Sequence, residues 1–335
     1  MTGRSSLSRR ILLVSGTGVL AITCAMLLGL SVGPSHYQGT ETLRALLSGS
    51  PDTALTAILW EIRLPRVFLA AMVGATLSLG GLVFQALLRN PLAEPYILGV
   101  SGGSAVGAVI GILMGLSRFP GVGATAFVGS MATLGLVLFL SSGGQRLRKD
   151  TLLLAGVMVN AFCSAVILFF LSVSQEQGLR NILFWLMGDF SLTSLSQAGG
   201  LLLMLLPCFL VLFALSHPMN LLLMGRDAAR SMGVRVGTVT IVLLVTTSFM
   251  VSAAVAHSGL MGFVGLVIPH MLRLVLGPDH RVLVPACVFG GGAYLVLCDV
   301  LARTLPGQGE MPVGVITAMI GAPVFILLLR RGQSG

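Results

Sequence analysis

Charge is what this sequence lacks most. Only 9% of its 335 residues are Asp, Glu, Lys or Arg, while 55% are hydrophobic. A water-soluble domain carries about 25% charge, so the chain reads as an integral membrane protein. Lysine is nearly absent: Lys149 stands alone beside 19 arginines. No G-x-x-x-x-G-K-[ST] phosphate loop occurs, and the chain cannot hydrolyse nucleotide by that route. G-x-S-x-G and H-E-x-x-H are missing as well. The five cysteines all lie in apolar runs without C-x-x-C spacing, and the five histidines are scattered. No metal site or disulfide framework is expected from them. Asp and Glu together number 11, and only Asp299 falls well inside an apolar segment. An ion-coupled secondary carrier usually needs more intramembrane acids.

Long apolar runs are abundant. Ten segments of roughly span length occupy 11–32, 64–87, 93–115, 121–142, 151–173, 193–216, 237–257, 258–276, 282–302 and 312–330. The expected fold is an all-α integral membrane protein, a single transmembrane domain over 1–335 with about ten transmembrane helices. The basic start "MTGRSSLSRR" precedes a run longer than a signal-peptide core, so the first segment reads as a retained span. With the N-terminus inside, 14 of the 20 basic residues fall on the inner face and six on the outer. That asymmetry supports cytoplasmic N- and C-termini. It also assigns the net charge of +9 to cytoplasmic loops and not to nucleic acid. The 43 glycines suit helices that approach closely in lipid.

Several stretches stand out. "WEIRLPR" places Arg63 and Arg66 on the outer face, at the doorway of the second span. Snorkelling at a helix end is the simple explanation for them. Two outer segments are long. The polar stretch 33–62 has room for a short helix near Glu41 to Leu47, and 174–192 contains an amphipathic, interfacial piece with Trp185. "RNPLAEPYILGVSGGSAVGA" carries Pro91 and Pro95, which predict an irregular entry to the third span. Its glycines read as helix-packing positions. In "GFVGLVIPHMLRLVLGPDHR", His270 reads as structural. Asp299 and Arg303 stand four apart on one helix and can pair. Glu310 before Pro312 reads as a helix cap. "GLVFQALLR" (81–89) and "GLVIPHMLR" (265–273) share five of nine residues, a weak internal echo. On the inner face, "LLLMGRDAARSMGV" predicts a short helix over Arg226 to Met232, with Ala228, Ala229 and Met232 on one face. It fits either a partner's grip or lipid headgroups.

Together these stretches resemble the FecCD-type permease family of binding-protein-dependent ABC importers. The matching set is ordered along nearly the whole chain: "RLPR" (63–66), "QALLRNPLAEPYILGVSGG" (85–103), "LLLAGVMVNA" (152–161), "FWLMGDFS" (184–191), "LMGRDAARSMGV" (223–234), "GFVGLVIPHMLRLVLGPDHR" (262–281), "DVLAR" (299–303) and "EMPVGVITAMIGAPVF" (310–325).

The resemblance implies a transport subunit of the bacterial inner membrane with no enzyme chemistry or cofactor of its own. It would pair with a second copy and with two cytoplasmic ATPase subunits using ATP-Mg. A periplasmic or lipid-anchored binding protein would dock outside. The cargo would be a large metal chelate, with ferric siderophore first and haem or cobalamin as alternatives. Carried over residue by residue, Arg63, Arg66 and Arg303 would receive acidic residues of the binding protein. Gly225, Arg226, Asp227, Ala228, Ala229, Arg230 and Gly233 would form the ATPase coupling segment. Asn90 and Leu92, with Lys149 and Asp150, would close the inner end of the path. The last pair departs from the small polar residues expected there.

Overall fold

A computed structural model of the chain describes residues 2–33, 39, 42, 53–141, 149–191, 193–306 and 309–332. Every regular element among them is helical. The long elements are α1 (Thr2–Ser31), α2 (Leu64–Leu88), α3 (Val100–Leu113), α4 (Gly123–Ser141), α5 (Lys149–Val173) and α6 (Glu176–Leu186). They continue as α7 (Leu195–Ala214), α8 (Ser216–Met224), α9 (Arg226–Ser231) and α10 (Val236–Ser258). The chain ends with α11 (Val264–Leu276), α12 (His280–Thr304) and α13 (Val313–Gly332). Among the described residues, seven helices are long and apolar enough to cross a membrane, and three shorter apolar ones are Val100–Leu113, Val264–Leu276 and Val313–Leu328. These ten correspond to the ten apolar segments. The short helix expected near 41–47 lies almost wholly outside the described residues.

α2 is the centre of the molecule. Nearly every residue from Pro65 to Leu88 is buried, which explains why its apolar residues show no one-sided stripe. It packs against α12, α10 and α11. The tightest crossing is α2 on α11: a Cβ built on Gly81 would lie 1.7 Å from the carbonyl oxygen of Gly265. The two echoing segments therefore meet, and glycine is what permits it. The glycine run of α3 is also a packing surface. A Cβ on Gly103 would lie 2.2 Å from Thr133 Oγ1, and one on Gly107 would lie 2.1 Å from the Thr125 carbonyl.

Two spans are only partly helical. α3 has 14 residues and α11 has 13, each about 20 Å at 1.5 Å per residue, against a hydrocarbon core of about 30 Å. Non-helical backbone supplies the rest: 90–99 before α3, as Pro91 and Pro95 lead one to expect, and 259–263 before α11. The eighth span was expected to be helical from 258; its helix starts only at Val264, after Phe263 in the left-handed region at φ 68°. Irregular backbone at this depth must find partners within the protein. Tyr96 provides one: its hydroxyl donates to the Met261 carbonyl at 3.0 Å and accepts from the Met261 N–H at 3.2 Å.

Candidate functional site

The three outer arginines converge. Arg63 and Arg66 stand at the start of α2, Arg303 in the last turn of α12, and the end of α1 runs beside them. None is freely exposed: relative accessibilities are 3%, 4% and 4%. Arg63 Nη1 donates to the Leu30 carbonyl at 2.7 Å. Arg303 donates to the carbonyls of Gly29 and Val32 at 3.1 and 3.2 Å. These carbonyls belong to the C-terminal end of α1, whose last turn holds no basic residue. Two cations from distant helices thus satisfy its orphan acceptors and its negative dipole end. The arginines do anchor a helix end, but not the end of their own helices.

Arg66 is held by acids. Its Nε donates to Asp299 Oδ1 at 2.9 Å and its Nη1 to Glu310 Oε2 at 2.6 Å. Asp299 is completely buried and serves both neighbours. Arg303 Nε lies 3.0 Å from Asp299 Oδ2, although its N–H is aimed at the Asp299 carbonyl oxygen, 3.3 Å away. The expected Asp299–Arg303 pair is present and Arg66 completes it. Glu310 differs from its expected role as a cap: one carboxylate oxygen is engaged by Arg66. Its side chain is 36% exposed against 5% for Arg66, so it covers the guanidinium from outside. Three cations and two anions leave the cluster with one positive charge in excess.

A second outer contact joins two loops. Arg118 donates to the Asp189 carboxylate at 2.8 Å and to its carbonyl at 2.9 Å. Burial raises the Asp189 pKa, but Arg118 and the Ser191 donors outweigh it and hold the carboxyl below its ordinary value. The adjoining α6 is amphipathic as expected, with Ile182 and Trp185 buried beneath it.

On the inner side, the candidate coupling segment is two helices. α8 runs to Met224, and α9 follows after Gly225, whose φ of 130° is open to glycine. Gly233 at φ 86° ends the unit. Ala229 is buried, but Met232, expected beside it, is 54% exposed, like Met224 at 66%. Arg230 and Asp227 form a loose exposed pair at 3.5 Å. Arg226 borders a small apolar cavity with Leu222, Leu152 and Leu244.

The candidate gate loop lies close by. Asn90 Oδ1 accepts from the Leu92 N–H at 2.9 Å, and Leu92 is 44% exposed. Lys149 begins α5, and Asp150 is exposed in its first turn. Among the described residues, no hydrogen bond or ion pair joins Asp150 to the Asn90 loop. Sequence reasoning gave no role to the anchors beneath α8. Arg89 donates to the Leu222 carbonyl twice, from Nε at 3.0 Å and Nη2 at 2.6 Å. Asn220 Nδ2 donates to Asp279 Oδ1 at 2.7 Å, and its Oδ1 accepts from the His280 N–H at 2.9 Å. Hydrogen bonds from Arg281 pull the Asp279 pKa down to about 2. The only signal for Arg89, Asp279, His280 and Arg281 was their place in the matching stretches "LLRNP" and "GPDHR", and Asn220 lies outside every matching stretch.

A model of the FecCD transport family matches residues 20–331. The chain belongs to the FecCD transport family. The vitamin B12 import system permease protein BtuC of Salmonella arizonae is 42% identical over 274 residues, covering 81% of this chain and 82% of that protein. The BtuC of Salmonella typhimurium is 41% identical over 300 residues, covering 87% and 91%. A solved structure described as an inward-facing metal-chelate type ABC transporter superposes with a TM-score of 0.85 at 31% identity, covering 95% of this chain and 99% of its own. A further likeness, to PsaBC from Streptococcus pneumoniae at 14% identity and TM-score 0.56, concerns the fold alone. The chain is therefore an ABC importer permease, a multi-pass protein of the bacterial inner membrane.

Proposed function

We propose that this permease carries cobalamin, or a closely related corrinoid, across the inner membrane by alternating access. The observation behind the substrate is the 41–42% identity to vitamin B12 permeases over more than four-fifths of both chains. This moves the preference from ferric siderophore to cobalamin within one class of bulky metal chelates. A ferric siderophore is the second reading, favoured by the metal-chelate type structural neighbour.

Energy enters from the inner side. The chain has no phosphate loop, so ATP-Mg is used by two partner ATPases that grip α9 and its flanks, including Gly225, Arg226, Asp227, Ala228, Arg230 and Gly233. The exposed Met224 and Met232 supply adaptable apolar contact there. A second copy of the chain completes the path, and Asn90 and Leu92, with Lys149 and Asp150, close its inner end.

The binding protein docks over Arg63, Arg66 and Arg303. The excess positive charge of the cluster attracts acidic groups. Because the guanidinia are buried, an incoming carboxylate has to take the place of Glu310 on Arg66. Glu310 is therefore an internal stand-in for the partner's acid. The test is uptake by proteoliposomes holding the permease, its ATPase and its binding protein. ATP-dependent uptake of cobalamin, with ferric siderophores and haem excluded, is the expected result. Uptake of a siderophore without cobalamin would move the substrate to the second reading.

A further inference from the structure

The inner ends of four helices are tied to one another by side chains that the transport reading has not used. Arg89 closes α2 in the left-handed conformation, at φ 51° and ψ 39°, and its guanidinium forks onto the Leu222 carbonyl. That carbonyl lies in the last turn of α8, four residues before Arg226. Asn220, half a turn earlier, is clamped by Asp279 and His280 at the start of α12. Arg273 of α11 donates to Gln85 of α2 at 3.0 Å. The Asn90–Leu92 loop follows Arg89 directly, held in its own turn by Asn90.

α5 meets this group differently. Its inner end faces α8 and α9 across a cavity of about 30 Å³ lined by Leu87, Leu152, Leu222, Leu244 and Arg226, among others. Apolar surfaces across a gap slide and repack without a bond being broken. A forked, charge-assisted hydrogen bond to a helix-end carbonyl is strong and directional, and it transmits displacement.

We propose that Arg89 is the positioning residue that ties the Asn90–Leu92 loop to the coupling segment, so that the two move as one body against the inner end of α5. The inference rests on reading α9 as the ATPase contact and Asn90–Leu92 as gate. A push on α9 then shifts the gate loop through Leu222 and Arg89, with no need for α9 to touch that loop.

The experiment uses the full transporter in proteoliposomes, with pairs of spin labels at Leu92 and Met224 and at Leu92 and Asp150. Distances are followed through the nucleotide cycle. The expected result is a 92–224 distance that holds constant while the 92–150 distance changes. A 92–224 distance that changes as much as 92–150 overturns the proposal, as does hydrolysis with neither distance changing. If the ATPase neither binds nor hydrolyses on the permease, the reading of α9 fails first and takes this inference with it.

Arg89→Lys supplies the second readout. Lysine keeps the charge but cannot fork. Uptake per ATP should fall about tenfold, the loss of one charge-assisted bond, while hydrolysis stays within about twofold of the parent and the 92–224 distance begins to vary. Unchanged uptake, or uptake and hydrolysis falling together, would assign Arg89 to stability or assembly instead.

Discussion

Replacing Asp299 with Asn keeps the shape of the outer cluster and removes the one charge that two buried arginines share. Arg66 loses a carboxylate 2.9 Å from its Nε, and Arg303 loses one 3.0 Å away. Both guanidinia are at most 5% exposed, so water cannot replace the acid. The surplus of the cluster rises from one positive charge to two. Removing one partner of a buried pair costs about 3–5 kcal/mol because a charge is left uncompensated. By contrast, Glu310→Gln, at a side chain 36% exposed, should cost about 1 kcal/mol or less. The assay is equilibrium unfolding of purified protein in detergent. A double-mutant cycle sharpens it. Asp299→Asn with Arg303→Met restores the charge count, so the pair should be less destabilised than the sum of the singles by about 1–3 kcal/mol. Some loss remains in the double variant, since Arg303 also holds the Gly29 and Val32 carbonyls. An Asp299→Asn cost within about 0.5 kcal/mol of zero, the range of ordinary surface changes, would refute the reasoning. So would strict additivity in the cycle.

Three further outcomes follow from the same geometry. Gly81→Ala should cost about 3 kcal/mol or abolish folding, because its Cβ has backbone 1.7 Å away, while Gly16→Ala, with nothing within 4 Å, serves as a neutral control; equal yields and melting points would contradict the crossing. Glu310→Gln should tighten binding of the cognate binding protein about two- to fivefold, since Arg66 is freed for the partner's carboxylate, and titration showing unchanged or weaker affinity would remove the exchange role. Asp279, with its pKa pulled down to about 2, contributes stability that is fully present above about pH 4 and is lost as pH falls toward 2. The stability gap between the parent and Asp279→Asn should accordingly be flat from pH 7 to 5, and a gap already closing in that range would contradict the assignment.

Hydropathy made the ten spans legible, because a membrane core demands apolar side chains over a set length. It could not reveal that two spans are only partly helical. Ile97, Leu98, Leu260 and Met261 are as apolar as helical neighbours, and apolarity does not say where a backbone N–H finds its partner. The sidedness of Arg63, Arg66 and Arg303 was readable from the count of basic residues. Their burial was not, since Arg66 meets Asp299 and Glu310 across 233 and 244 residues. The i,i+4 pair of Asp299 and Arg303 was visible because helix geometry puts those positions together. The αL turn at Arg89 and its reach to Leu222 depend on how α2 and α8 cross, which no local pattern encodes. For Met232, helical spacing implied a place beside Ala229, but packing left it open to the inner surface.

Transport of a corrinoid, powered by a partner ATPase, is what we propose for this permease. The most direct measurement is radiolabelled cobalamin uptake into proteoliposomes containing the permease, its ATPase and its binding protein, with and without internal ATP. Accumulation that requires ATP and stops when the ATPase is inactivated is the predicted result. Uptake driven by a proton or sodium gradient in the permease alone would contradict it.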